Sequence, residues 1–159
     1  MNANDVLVYG HLWVLKHVEG LSADQWETPG VCGWWSVKNI IAHLASFEHV
    51  LVDTLTQCVK DAPTPTLDQF IQKDGDSFNA VQVEQRKSQT PEEVLDEYRQ
   101  TQTAVMKILS RIRVETLRLP GTLPWSGKEY DLEDFIVYTF YGHKREHCAQ
   151  IAAYRATLK

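Results

Sequence analysis

The sequence predicts an all-α protein, a single and mostly helical bundle. Three observations point there: apolar residues recur at helical period, good helix-start residues precede those stretches, and Pro- and Gly-marked connections separate them. Strand signals are weak throughout, and no repeat or low-complexity segment interrupts the chain. The whole of residues 1–159 reads as one domain, because the Pro63 and Pro120 regions are too short and too apolar for flexible linkers.

The first helix is expected from about Asn4 to Val18, broken by Gly20 and Ser22. Residues Glu27 to Trp35, punctuated by Pro29, Gly30 and Gly33, read as a loop. Ser36 is a good N-cap for a second helix. The helical spacing of Val37, Ile40, Ile41, Leu44, Leu51 and Leu55 carries it to a stop before Pro63. Leu67 to about Val83 is a further helix candidate, weakened by Gly75. Thr90-Pro91-Glu92-Glu93 opens the next helix: Thr90 caps, Pro91 suits the first helical position and Glu93 completes a capping box. That helix runs to about Ile112. Val114 to Tyr130 holds Pro120, Gly121, Pro124 and Gly127 and reads as a long loop with room for a short extended hairpin. The last helix starts at Asp131 as N-cap and reaches about Ala156.

Composition narrows the function classes. Apolar residues make up 43% of the chain and charged residues 23%, enough for a real core in a globular protein. The net charge of -5, without a basic cluster, disfavours binding to nucleic acid or an anionic membrane. The N-terminal stretch, interrupted by His11, Lys16 and His17, does not read as a signal peptide, and no run is long enough to span a bilayer. Cys32, Cys58 and Cys148 are odd in number and widely spaced, which fits a reducing cytoplasm better than a disulfide scaffold.

The chain's six histidines matter by their faces. At about 100° per residue, His143, His147, Gln150 and Tyr154 fall within about 60° of the inward stripe set by Leu132, Phe135 and Ile136. His143 and His147 are four residues apart, so both imidazoles can reach one metal ion. A shared ion would satisfy both rings, whereas two protonated rings would repel. His43, with face neighbours Ile40 and Phe47, is the best third ligand from another helix. His49 falls away from the stripe, and His11 and His17 share no face. On spacing alone, two packed and hydrogen-bonded core histidines explain the pair better than a metal does.

Two segments resemble a known family. Trp35-Ser36-Val37-Lys38-Asn39-Ile40-Ile41-Ala42-His43-Leu44 is similar to the second-helix signature of the DinB-like (YfiT-like) superfamily. His143-Lys144-Arg145-Glu146-His147-Cys148-Ala149-Gln150-Ile151 resembles its final-helix signature, and Trp125 to Lys128 with Tyr130 to Leu132 resemble the approach to that helix. The resemblance implies an up-down-down-up four-helix bundle that is often a dimer, and a nickel or zinc ion held by His43, His143 and His147 with water completing the shell. Related branches include thiol S-transferases or isomerases that use low-molecular-weight thiols, and proteins named as metal-dependent hydrolases. Asp61 to Ser88 carries no motif that would choose a branch.

Three protein ligands leave an open position, the arrangement of catalytic rather than structural sites. Water or a thiol held there would be the nucleophile, and the three histidines do not choose between them. Imidazole ligands leave the metal's identity open. Around the site, Glu48 near the centre of the second helix's stripe is a candidate to orient a ligand or act as base, against the blander reading of a carboxylate paired elsewhere. Gln150 is a candidate to hold a histidine or water, with a purely structural hydrogen bond equally open. Tyr141, Tyr154 and Cys148 read as packing residues, Trp34 and Trp35 as anchors at the helix start, and Trp125 as a pocket-mouth residue. The functional expectation is a metal-dependent thiol S-transferase or hydrolase acting on a small electrophile. The alternative is a non-catalytic, stress-associated metal- or ligand-binding bundle. Expected partners are a small-molecule substrate and a second copy of the chain, without nucleic acid or membrane.

Overall fold

A computed structural model describes residues 2–158. All of its regular elements are helical; an isolated bridge between Cys32 and Trp35 is the nearest approach to a strand among the described residues. Helix α1 spans Ala3–Val18, α2 Ala23–Glu27, α3 Val37–Gln57, α4 Pro65–Gln72, α5 Gly75–Gln85, α6 Pro91–Leu109 and α7 Val114–Leu117. A continuous helical rod then runs through α8, Leu132–Phe135, a π-helical stretch, Ile136–Gly142, and α9, His143–Ala156.

The helix starts follow from cap chemistry. Ser36 and Asn39 form a reciprocal capping box at α3, with backbone-to-side-chain bonds of 3.0 and 3.3 Å. Thr90 and Glu93 do the same at α6, and Asp131 and Asp134 at α8. Each satisfies donors that a helix end leaves unpaired.

Helix α3 packs along α6 and α1 along α9, while α4 and α5 cover one side of α3. Two apolar clusters fill the interior. One gathers Leu7, Leu51, Phe78, Val105 and Phe140; the other gathers Val14, Ile40, Val94, Tyr98 and Ile151. Gly10 lets α1 approach α9 closely, since a Cβ there would sit 3.3 Å from both Lys144 Cδ and Tyr141 Cδ2. No described helix is long and apolar enough to cross a membrane.

The structure departs from the sequence reading in five places. The helix expected over residues 67–83 is two helices, because Asp74 takes the N-cap role for α5 by accepting from Ser77 N–H at 2.9 Å. Residues 114–130 hold a short helix and turns rather than a hairpin. The last helix contains a π segment that no periodicity announced. Ser22 does not merely end α1 but caps the short α2. Trp34 is 68% exposed rather than an anchor, and Trp35 alone turns inward, after the tight turn in which Gly33 takes a positive φ.

Helix α4 shows how the cover is attached. Its own N-cap residue, Thr64, makes no capping bond; Asp53 of α3 instead accepts from Thr66 N–H at 2.8 Å and Leu67 N–H at 3.1 Å. Phe70 of α4 then packs on Phe47 of α3. Asp53→Ala is expected to cost about 1–2 kcal/mol, the loss of a charged cap. Urea unfolding with an unchanged midpoint in Asp53→Ala would show that α4 is held by its apolar face alone.

Candidate metal centre

His43 lies about two turns into α3, on its buried face. His143 is the first residue of α9 and His147 stands one turn further on. The structure brings all three rings together. His43 Nε2 is 2.8 Å from His143 Nε2, and His147 Nε2 is 2.9 Å from the same atom. The three ligand-capable nitrogens lie within 4.8 Å of one another, so this group could hold a metal ion. Nitrogens sharing a tetrahedral zinc at about 2.0–2.1 Å stand roughly 3.3 Å apart, a few tenths of an ångström beyond the two short contacts that His143 makes with His43 and His147.

Burial fixes their charge. Desolvation, then the neighbouring His143 and His147, push His43 down to about 2. Desolvation, followed by His147 and Lys144, takes His143 to about 3. Desolvation also lowers His147, opposed by its bond to Gln150 and by the Glu146 charge. The rings are therefore neutral at physiological pH, the state in which imidazole binds metal.

Three neutral rings in this arrangement do not satisfy one another. His147 Nδ1 is 2.7 Å from Gln150 Oε1, so Nδ1 carries the proton and Nε2 presents a lone pair. With the proton on His143 Nε2, that nitrogen can donate to only one of its two neighbours, and its other short contact is left opposed without a hydrogen bond. His43 Nδ1 is buried without a partner among the described residues as well. A cation among the three Nε2 atoms removes the opposition. The Gln150 contact is the kind of outer bond that fixes the tautomer of a metal-binding histidine.

The surroundings are aromatic on one side and open on the other. Trp35 packs 4.9 Å from His43 between ring centroids, and Phe47 lies 4.8 Å from it on the opposite cluster. A cavity of about 380 Å³ opens over His43 and His143, walled by Phe47, Asn79, Tyr138 and Glu146. His143 is half-buried on this side, while His43 and His147 are buried.

The remaining candidates fall as follows. Glu48 is fully buried, but its carboxylate lies 2.5 Å from Lys144 Nζ and no hydrogen bond joins it to the histidines. Trp125 packs on Phe70 and Phe135 and does not line the cavity over the histidines. Tyr154 donates its hydroxyl to Gln25 O at 3.0 Å, and Cys148 is buried with burial pushing its thiol up to about 12. His49 pairs with Glu97, which also accepts from Arg86. Sequence reasoning missed Lys144 and Asn79. The available signal for Lys144 was Glu48, since a carboxylate at the centre of an apolar stripe demands a cation. Asn79 lies in the stretch without motifs and had no signal.

Neither the curated proteins nor the solved structures contain a match to this chain. The sequence profile of the DinB superfamily does match, over residues 14–151. That span includes α3, α6 and all three histidines, and by it the chain belongs to the DinB superfamily.

Proposed function

We propose that this DinB-superfamily protein is a metal-dependent enzyme acting on a small electrophile, as a thiol S-transferase or a hydrolase. The observation that carries the proposal is the convergence of three neutral imidazole nitrogens, two on buried rings and one on the half-buried His143, beside an open cavity. A structural site would be closed by a fourth protein donor, and the group here has three members. The four long helices α1, α3, α6 and the rod ending in α9 are taken as the up-down-down-up bundle. A nickel or zinc ion fits the donor set. The proposal extends to a homodimer, a small-molecule substrate and a cytoplasmic setting, the last supported by three free cysteines.

His43, His143 and His147 would hold the ion. When bound, it would supply Lewis acidity that makes water or a thiol a nucleophile near neutral pH. Gln150 holds the His147 ring through Nδ1 and so aims Nε2 inward. Phe47 and Trp35 exclude water from the sides of the His43 ring and fix its plane. The cavity beyond His143 receives the substrate, with Asn79 and Glu146 as its polar walls.

Elemental analysis of untagged protein purified without chelator is expected to give near one divalent ion per chain, and His147→Ala protein to give almost none. With the metal established, hydrolase and thiol-transfer assays distinguish the two chemistries. Equal metal content in wild type and His147→Ala would remove the basis of the proposal.

A further inference from the structure

The cavity over the histidines has an uneven charge lining. Among the described residues, Glu146 is its one acidic wall residue and neither Lys nor Arg lines it. Glu146 is exposed, and it sits on α9 between His143 and His147. Asn79 stands at the far wall. Its side-chain Oδ1 is buried and has no hydrogen-bond partner among the described residues.

Asn79 also lines a second cavity, of about 400 Å³, which adjoins the first. Trp34, Trp35 and Asp76 line that one, and again it has an acidic group and no basic one. Trp34 is 68% exposed, with its ring edge-on to Trp35 at 6.0 Å between centroids. A large exposed indole beside a carboxylate is costly surface in water and a good surface for an organic cation, which is drawn by both the ring face and the charge. An anionic group entering either cavity would meet Glu146 or Asp76 with no counter-charge in the lining.

We propose that this site selects ligands whose outer end, away from the three histidines, is a cationic amine, and discriminates against an outer carboxylate, with Glu146 and Asp76 as the selecting charges and the Trp34 ring and Asn79 amide as the surface they act with. The inference rests on the metal reading above and deepens it. The end of the ligand at the histidines is set by the ion; the other end is set by the lining. Glu146 and Asp76 are specificity-determining residues and not members of the ligand set.

The test uses cobalt(II)-loaded protein and two short thiols of similar length, cysteamine and 3-mercaptopropionate. Their binding is read from the sulfur-to-cobalt charge-transfer absorption. The two thiols differ in intrinsic acidity, so the readout is the ratio of their dissociation constants in wild type against the same ratio in Glu146→Gln/Asp76→Asn protein. The wild-type preference for cysteamine is expected to fall about three- to tenfold in that variant, the effect of two exposed charges acting with opposite sign on the two probes. It is also expected to shrink in high salt. Glu92→Gln, which changes net charge at a site that lines neither cavity, is expected to leave the ratio unchanged. A ratio that survives in the double variant, or that falls equally in Glu92→Gln, overturns the inference and leaves the metal reading standing. Failure of the wild type to take up cobalt overturns the metal reading and this inference with it.

Discussion

Metal-free protein is expected to lose about 3 kcal/mol of stability between pH 6.5 and pH 5, through His43 and His143 alone. In the folded chain the two rings protonate only near about 2 and about 3. In the unfolded chain each protonates near 6.5. Below pH 6.5 the unfolded state therefore binds protons that the folded state refuses, and the equilibrium moves toward unfolding as pH falls. Each ring's contribution approaches roughly 1.4 kcal/mol per pH unit toward the acid end of this window. About a unit above pH 6.5 both states hold the rings neutral and the dependence fades out. Glu97 adds a separate loss in stronger acid. Its burial would raise it, but hydrogen bonds from His49 and Arg86 and the Arg86 charge hold it at about 2 against a usual 4.5, so its stabilisation fades only below roughly pH 4.5. Urea midpoints of chelator-treated protein at pH 7, 6 and 5 measure the slope, and His143→Gln is expected to remove about half of it. A flat profile would mean that the rings are protonated or exposed in the folded state, which the short contacts among their Nε2 atoms contradict.

The same three rings show what the sequence could and could not convey. The i, i+4 pair on α9 was legible because the spacing inside one helix needs no tertiary information. The tie to His43, a hundred residues away, came from the family resemblance; period alone placed His43 only at the edge of a stripe. The π segment at Ile136–Gly142 was not legible. It turns less per residue than an α-helix, so the facing of His143 relative to Leu132 cannot be carried across it by 100° steps. Helix starts were legible where side chains close them locally, at Ser36, Thr90 and Asp131. The start of α4 was not, because its cap comes from Asp53 on another helix. The cavity walls suffered the same way. Asn79 reaches the site through the packing of α5 on α3, a contact with no signature in the residues themselves.

Lys144→Met and Glu48→Gln are each expected to destabilise the protein by about 3–5 kcal/mol, although neither residue belongs to the three-histidine group. Glu48 is 0% and Lys144 2% exposed at the side chain, with 2.5 Å between Oε1 and Nζ. The second Glu48 oxygen has no hydrogen-bond partner among the described residues. Lys144 Nζ lies 5.7 Å from the centre of the Tyr98 ring, whose hydroxyl burial and then the Glu48 charge push well above its ordinary value. Removing either partner leaves a lone charge in this interior, and the full desolvation cost then falls on it. Removing both does not. A Glu48→Leu/Lys144→Met protein is expected to match the wild type or exceed it, because well-packed apolar side chains replace a buried pair at little cost. The pair's value then lies in alignment. Lys144 follows His143 on α9, and Glu48 stands five residues beyond His43 on α3, so one directional contact sets the axial register of the two helices that carry all three rings. Apolar contacts are non-directional and hold that register less closely. The double variant is therefore expected to recover urea stability while binding zinc about 10–100-fold more weakly, the usual effect of disturbing the support of a metal ligand. A double-mutant cycle read by both unfolding and zinc affinity tests the two effects separately. If stability and affinity recover together, register is set by the packed helix faces, and the ion pair does no more than neutralise itself.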